Sequence, residues 1–166
     1  MILRLSQKLA KKIKVPVPRP APADPNPFAD WSAHLFTADR TQYLILTNTP
    51  SLYSTVLYGR GISNDSQFLD RALSSIREFM VDDRQKFVFR QFVAPAAGTI
   101  RFASALNRSV TGSMNDLVNA AQHWLIENDL SPFDVGLKLN EMPMSYLNYR
   151  NPRDVFRSLE VSQFSE

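Results

Sequence analysis

The sequence predicts an α+β fold, in which a small, mostly antiparallel sheet packs against helices and a C-terminal helical group completes the core. Three observations support this prediction. Segments rich in β-forming residues alternate with turns between residues 31 and 58, a capped amphipathic helix follows residue 64, and the segments after residue 116 have helical periodicity. The 166 residues, 44% hydrophobic and 21% charged, are typical of a single globular domain, expected over residues 1–166.

The composition excludes several chemistries and favours a cytoplasmic location. The chain has no cysteine, which removes disulfides, thiol nucleophiles and thiolate metal sites and fits a reducing compartment. Its apolar runs all fall well short of the roughly 20 residues that a membrane span requires. The first residues, Met1–Leu5, are too few for the apolar region of a secretory signal. We therefore expect no membrane span.

Basic residues are concentrated at the N-terminus. Residues 1–19 hold six of the 19 lysines and arginines and no acid, so the rest of the chain has 13 basic residues against 16 acidic ones. The six are Arg4, Lys8, Lys11, Lys12, Lys14 and Arg19. The segment predicts a strand, Met1–Leu5, and an amphipathic helix, Ser6–Ile13. A basic arm for nucleic acid is one interpretation, but a helix with scattered lysines is more often docked by its apolar side, so we favour docking.

A proline-rich connector and three strands follow. Residues 15–28 contain six of the eleven prolines and predict a semi-rigid spacer. Trp31–Thr37 alternates between two faces, Tyr43–Leu46 is apolar on both, and Leu52–Tyr58 is rich in β-forming residues. With turns at residues 39–41 and 48–51, these segments predict an antiparallel meander whose central strand is Tyr43–Leu46.

A long helix is predicted next. Asn64 followed by Gln67 fits a capping box at its start. Apolar residues then recur at helical spacing at Leu69, Leu73, Ile76 and Met80. The adjacent carboxylates of Asp82 and Asp83 lie on different sides of a helix, so we expect a solvated helix end.

The remaining segments predict a short helix, a strand and three further helices. Phe87–Val93 fits a short helix stopped by Pro95, and Ile100–Ala103 fits a strand with Ile100 and Phe102 facing inward. Proline at the first helical position opens a helix after Ser131 and another after Asn151. Before them, an apolar stripe predicts a helix packed against strand Tyr43–Leu46: Met114, Leu117, Val118, Ala121, Trp124 and Leu125.

Residues 107–116, here called the hinge motif, are the densest cluster of hydrogen-bonding side chains in the sequence. If a helix opens at Gly112, the free N–H groups of residues 113–115 form an anion site at its positive end. The candidate binding side chains are Arg108, Ser109, Thr111, Ser113 and Asn115. The spacing of Ser113 and Asp116 also fits a capping box, and the same device recurs at Ser131 and Asn151. We therefore favour the cap over the anion site.

Catalytic and metal-binding arrangements cannot be recognised in the sequence. His34 and His123 are far apart in the sequence, and no carboxylates can be placed beside them, so both are expected to be solvated or core histidines. The sequence has neither the phosphate-binding glycine loops nor the nucleophile elbow. We expect no cofactor, no metal and no catalytic residue.

The sequence resembles a family of uncharacterised bacterial proteins named only as a domain of unknown function. The resemblance lies in Trp31-x-Ala33-x-Leu35, in the segments Leu44–Asn48 and Leu52–Gly59, and above all in the N-R-S-V-x-G-S-M-N-D-L motif at residues 107–117. It covers roughly residues 1–130. It implies a bacterial, cytosolic α+β domain, and it carries no activity or catalytic residue with it.

Two classes of function stay open. The favoured one is a non-catalytic binding or accessory protein that recognises a macromolecular partner, such as another protein, or an anionic ligand. The other is a small hydrolase that acts on a phosphate ester or nucleic acid through the segment from Arg108 to Asn115. The first is favoured because a nucleophile, a base and an orienting group cannot be recognised together.

Overall fold

A five-stranded mixed sheet lies at the centre of the computed structural model, which describes residues 1–161. The strands are β1 (Ile2–Leu5), β2 (Asp30–Ala38), β3 (Thr41–Asn48), β4 (Ser54–Tyr58) and β5 (Arg101–Ala103), and their order across the sheet is β4-β3-β2-β1-β5. β1 runs parallel to both of its neighbours, and β3 runs antiparallel to both of its own. The antiparallel pairings extend over more residues than the parallel ones, so the predicted α+β class with a mostly antiparallel sheet is confirmed.

Helices cover both faces of this sheet. They are α1 (Gln7–Lys12), α2 (Asp65–Asp82), α3 (Lys86–Val88), α4 (Arg108–Glu127), α5 (Pro132–Leu139) and α6 (Pro152–Ser158). We call the side of Trp31 and Leu44 the first face and the side of Phe36 and Ile45 the second face. α1, α2 and Phe156 of α6 pack on the first face, whereas α4 and α5 pack on the second. The C-terminal helical group is therefore divided between two cores.

The predicted meander is present as β2, β3 and β4. Residues of β2 alternate between the two cores, and β3 contributes Leu44 and Leu46 to one core and Tyr43 and Ile45 to the other. The β2–β3 hairpin turns through Asp39 and Arg40, whose φ angles of 47° and 66° suit the twist of a two-residue hairpin. β4 begins at Ser54 rather than at Leu52, because Leu52 has a φ of 63° and still belongs to the turn.

The N-terminal segment is part of the sheet and of its first face. β1 is an interior strand, and Leu5, Leu9 and Ile13 are buried on the first face, so α1 is a docked helix as favoured. Arg4 is 1% exposed and forms a two-pronged ion pair with Asp30, with Nε–Oδ1 and Nη2–Oδ2 distances of 2.9 Å. This pair was not predicted, because its partner lies beyond the proline-rich connector.

The Arg4 guanidinium also anchors the connector. Its Nη1 donates to the carbonyls of Ala21 and Ser104, and its Nη2 donates to the carbonyl of Pro22. With the two bonds to Asp30, these use all five N–H donors of the side chain. The buried Arg4 cation thus helps to hold the proline-rich segment against the sheet, together with the hydrogen bond from Asp24 N–H to Asp30.

Other elements differ from prediction in detail. The buried positions of α2 are Phe68, Ala72, Ile76, Phe79 and Met80, so its inner face is centred one residue before Leu69 and Leu73, which are half-buried. The segment Lys86–Gly98 is not one short helix. It continues from α3 into a π-helix, Phe89–Val93, and a 3-10 turn, Pro95–Gly98. Proline 95 has no N–H to continue the helical pattern.

The expectation that Asp82 and Asp83 form a solvated helix end is wrong for Asp83. Its side chain is 8% exposed and accepts a 2.7 Å hydrogen bond from the Tyr53 hydroxyl. Burial, together with this bond, raises the pKa of Tyr53. Arg153 lies beside the same carboxylate, with Nε 3.4 Å from Oδ1. The cluster joins residues from three distant parts of the chain, which is why adjacent acids in the sequence gave no sign of it.

Candidate functional site

The hinge motif does not open a helix at Gly112. The N-cap of α4 lies six residues before the cap expected at Ser113. It is Asn107, whose Oδ1 accepts a 2.9 Å hydrogen bond from Val110 N–H. Asparagine is as good a cap as serine. The earlier start also places Val110 in the buried stripe of the helix with Met114 and Leu117. The prediction of Ser113 as the N-cap is therefore wrong.

The backbone donors assigned to an anion site lie inside α4. The N–H groups of residues 113–115 follow the first turn, so they bond to helix carbonyls rather than to a ligand. Ser113 is 8% exposed, and its hydroxyl donates to the Ser109 carbonyl at 2.8 Å. The Thr111 hydroxyl donates to the Asn107 carbonyl at 3.3 Å. Two of the five candidate side chains thus bond to their own helix.

The five candidate residues do not share one surface. The spacing of Arg108, Thr111 and Asn115 places them on one flank of α4, and the spacing of Ser109 and Ser113 places those two on another. Arg108, Ser109 and Asn115 are exposed. Within residues 1–161, Arg108 has no carboxylate within ion-pair distance, the nearby Asp116 included.

A small crevice lies where the chain leaves β1 for the first face and β5 for the second. The carboxyl ends of parallel strands at such a switch point often carry ligand sites. The crevice is lined by parts of β1, β2 and the start of α4: Arg4, Leu5, Ser6, Ser32, His34, Ala105, Val110, Thr111 and Met114. Its volume of about 10 Å³ is close to the space that one water molecule needs. Burial lowers the pKa of His34, which favours a neutral imidazole here.

A much larger groove follows the outer edge of β4 and has a volume of about 400 Å³. Its floor is formed by Thr55, Val56, Leu57 and Tyr58. The wall from α2 carries Arg71, Ser74, Ser75 and Glu78, and the opposite wall is the start of α5, Ser131–Phe133. Phe79 lies below the walls, with its ring 5.5 Å from the ring of Phe133. We call this site the β4 groove.

Side chains cover both ends of the β4 edge. At one end, Asn140 imitates a neighbouring strand: its Oδ1 accepts from Ser54 N–H at 2.7 Å and its Nδ2 donates to Ser54 C=O at 3.0 Å. At the other end, Arg71 Nη2 donates to the Tyr58 carbonyl at 2.6 Å. Val56 lies between these two clamps. Within the described residues, no side chain bonds to its N–H or C=O.

A family model matches residues 2–155, which is nearly the whole chain. The chain belongs to DUF6933, a domain of unknown function. The resemblance inferred from the hinge motif is thereby confirmed at the level of the family. No curated protein matches the sequence.

The remaining features of this DUF6933 domain concern metals and membranes. Across residues 1–161, no three histidine, aspartate or glutamate side chains are grouped closely enough to hold a metal ion. None of the described helices combines the length and apolar character that a membrane crossing requires. His34 lies in the crevice and His123 is exposed on α4, so neither histidine contributes to the β4 groove.

Sequence reasoning missed the β4 groove in this DUF6933 domain. Arg71 and Glu78 are two helical turns apart on the polar side of α2, a pattern that an ordinary solvated face also gives. The position of β4 at the sheet edge depends on which strands pair, and Asn140 comes 86 residues after Ser54. Only the alternation in Leu52–Tyr58 was visible, and it does not distinguish an edge strand from a central one.

Proposed function

We propose that this DUF6933 domain is a non-catalytic binding protein that recognises a protein partner through the β4 groove. The observation that carries the proposal is a groove of about 400 Å³ between α2 and the start of α5, whose walls combine apolar and charged side chains. Grooves that bury apolar surface beside a few fixed polar groups are the usual form of recognition sites. Here Pro132 and Phe133 supply the apolar surface, and Arg71 and Glu78 supply the charges.

A binding role is supported over catalysis by what lines the β4 groove. Its serine hydroxyls have no histidine near them, and Ser75 shares a 3.3 Å hydrogen bond with Thr55. Glu78 is exposed to solvent. A nucleophile, a base and a group that orients the base are therefore not assembled among these side chains. We propose the bacterial cytoplasm as the location, the compartment that the lack of cysteine favours.

The alternative function is an anion site or a phosphate-ester hydrolase at Arg108, Ser109, Thr111, Ser113 and Asn115. One observation favours it, namely that Arg108 is exposed and without an ion pair in the described chain. Against it, the backbone donors are used by α4, and the nearby crevice is the size of one water. Phosphate would raise the melting temperature if this alternative held, and Arg108→Ala would remove that rise.

Nucleic acid binding through the N-terminal lysines is also not favoured. Arg4 is buried in its ion pair with Asp30, and Lys12 donates to Gln42 at 2.8 Å. The lysines that remain exposed, Lys8, Lys11 and Lys14, belong to or follow one short docked helix. An affinity for nucleic acid from this source would be weak and strongly reduced by salt.

The proposal is tested by blocking the groove. Peptides are selected from a random display library against the folded chain, and their affinities are measured for two variants. Ser74→Trp fills the groove from α2, and we expect it to weaken binding at least tenfold. Ser66→Trp is the matched control, because Ser66 is exposed on the same helix about 12 Å away along its axis. A library that yields no binder, or binders that tolerate Ser74→Trp, would reject the proposal.

A further inference from the structure

We propose that the helical segment after α2 carries a second binding surface, which takes a single strand of nucleic acid by stacking a base on Phe87 and contacting phosphates with nearby cations. The surface consists of Arg84, Lys86, Phe87 and Arg90, here called the Phe87 patch. It lies apart from the β4 groove, since none of these residues lines that groove. The inference is therefore independent of the function proposed for the groove.

The backbone below the patch is helical and fixed. α2 ends in a turn in which Arg84 takes the left-handed conformation, with a φ of 62°, and Gln85 N–H bonds back to the Met80 carbonyl. From Lys86 the chain stays helical and passes into the π-helix, Phe89–Val93. π-helical turns are rare and occur frequently at functional sites. The patch therefore stands on ordered helical backbone rather than on a loop.

This helical segment has an apolar inner face and a polar outer face. Its inner side chains pack against the core of the first face: Val88, Phe89, Phe92 and Val93. The ring of Phe92 stacks on that of Phe28, with a centroid distance of 5.1 Å. Lys86, Arg90 and Gln91 are exposed between these positions. Phe87 is also turned outward and is 70% exposed, so it is the one aromatic ring of the segment that the core does not use.

Three cations accompany this ring. Arg90 is about one helical turn from both Lys86 and Phe87, and Arg84 comes just before them. All three cations are exposed, and in the described part of the chain none lies within ion-pair distance of a carboxylate. A single exposed ring is ordinary on a protein surface. A ring beside three cations, however, offers both contacts that bind a single strand, because bases stack on aromatic rings and phosphates pair with basic side chains.

The charge distribution extends the positive field beyond the patch. Residues 84–115 carry five basic residues and no acid, and residues 1–23 carry six basic residues and no acid. The two segments meet in the sheet, because β5 pairs with β1. All 16 acidic residues therefore lie elsewhere in the chain. A region with one sign of charge attracts polyanions and raises the rate at which they bind.

A single strand fits the patch better than an anionic membrane or a duplex. A helix that lies in a membrane interface inserts a broad apolar face, whereas here the apolar side chains of residues 88–93 pack into the core and Phe87 alone is turned outward. The bases of a duplex are already stacked on one another, so they are not free to stack on a side chain. An acidic polypeptide would use the cations without needing to stack on the ring, so it would depend less on Phe87.

Stacking is tested by the fluorescence anisotropy of a labelled oligothymidylate of about twelve nucleotides with the full chain. Phe87→Ala should weaken binding at least about fivefold, as the loss of one stacked base predicts, whereas Phe87→Tyr keeps an aromatic ring and should retain the affinity. Tyr149→Ala removes a ring that is 75% exposed elsewhere on the surface and should have no effect. Melting temperatures should match that of the parent chain, because both positions are exposed. Equal affinities of Phe87→Ala and the parent, or no binding by the parent, would overturn the proposal.

The cations are tested by the dependence of affinity on salt. Between about 50 and 200 mM salt, Arg90→Ala should lower the affinity and reduce the slope of log affinity against log salt by about one. Arg60→Ala removes an exposed cation that follows β4, at the opposite edge of the sheet, and should leave the slope unchanged. Equal effects of the two changes would overturn the patch in favour of a general attraction to positive charge. Binding to anionic lipid vesicles but not to the oligonucleotide, or equal competition by polyglutamate, would also overturn the proposal and assign the patch to a membrane or to an acidic protein.

Discussion

The crevice beside His34 and the β4 groove both lie against the sheet, yet they differ in how many of their polar side chains are hydrogen-bonded within the protein. In the crevice, Arg4 has a partner for every donor, and Ser32 and Thr111 bond to other protein atoms. In the groove, the polar side chains are less completely used, and Glu78 is exposed to solvent. The region that is richest in polar side chains is therefore bonded within the fold, whereas the groove keeps exposed side chains on its walls.

The largest expected effect comes from breaking the Arg4–Asp30 ion pair below the crevice. Arg4→Ala leaves the buried carboxylate of Asp30 without its cation, and we expect a loss of about 3–5 kcal/mol in the free energy of unfolding. Urea denaturation measures the loss. Lys8→Ala, an exposed basic residue of the same segment, should change stability by less than about 0.5 kcal/mol. Equal, small effects of both changes would show that the Arg4–Asp30 pair does not stabilise the fold.

A smaller effect should identify the true start of α4. Asn107→Ala removes the capping bond to Val110 N–H and should cost about 1 kcal/mol. Ser113→Ala removes only a hydroxyl that bonds back to the Ser109 carbonyl, and we expect it to be close to neutral. Thermal unfolding of both variants at one pH makes the comparison. The opposite ranking would restore the cap at Ser113 and, with it, the case for an anion site at that point.

The smallest effect depends on pH. Burial lowers the pKa of His34 in the folded chain below its ordinary value of 6.5, so the unfolded chain binds the proton more readily. Stability should therefore fall as the pH drops through and below 6.5, as protonation increasingly favours the unfolded state. Between pH 7.5 and 5.5, His34→Asn should lose less melting temperature than the parent chain. His123→Asn, at an exposed histidine, should follow the parent, and identical slopes for all three proteins would contradict a buried, neutral His34.

The parts of the fold that local rules determine were predictable from sequence. Proline-led helix starts appear where expected, with Ser131 and Asn151 as caps, and the meander follows from alternation and turn residues. The start of α4 was not predictable from the sequence, because Asn107 and Ser113 both satisfy the capping rule. The choice between them depends on burying Val110 in a core built by distant strands.

The candidate site was less predictable than the fold. The β4 groove exists because α2 and α5 approach the same strand edge, and the sequence gives no direct sign of that approach. Likewise, the parallel pairing of β1 with β5 joins segments almost 100 residues apart. The hinge motif, on which the predicted resemblance mainly rested, lies in α4, where its side chains are largely used for folding.

The Asn140 clamp has a consequence for how the molecule avoids aggregation. A bare strand edge invites uncontrolled pairing with other chains, and proteins usually shield such edges. Here the shield belongs to the C-cap of α5, a helix of eight residues. If α5 frays, Ser54 and Val56 are uncovered together and the outer edge of β4 is exposed. Protection of the sheet against aggregation therefore depends on one short helix. The free energy of opening this helix locally is well below that of unfolding the whole chain.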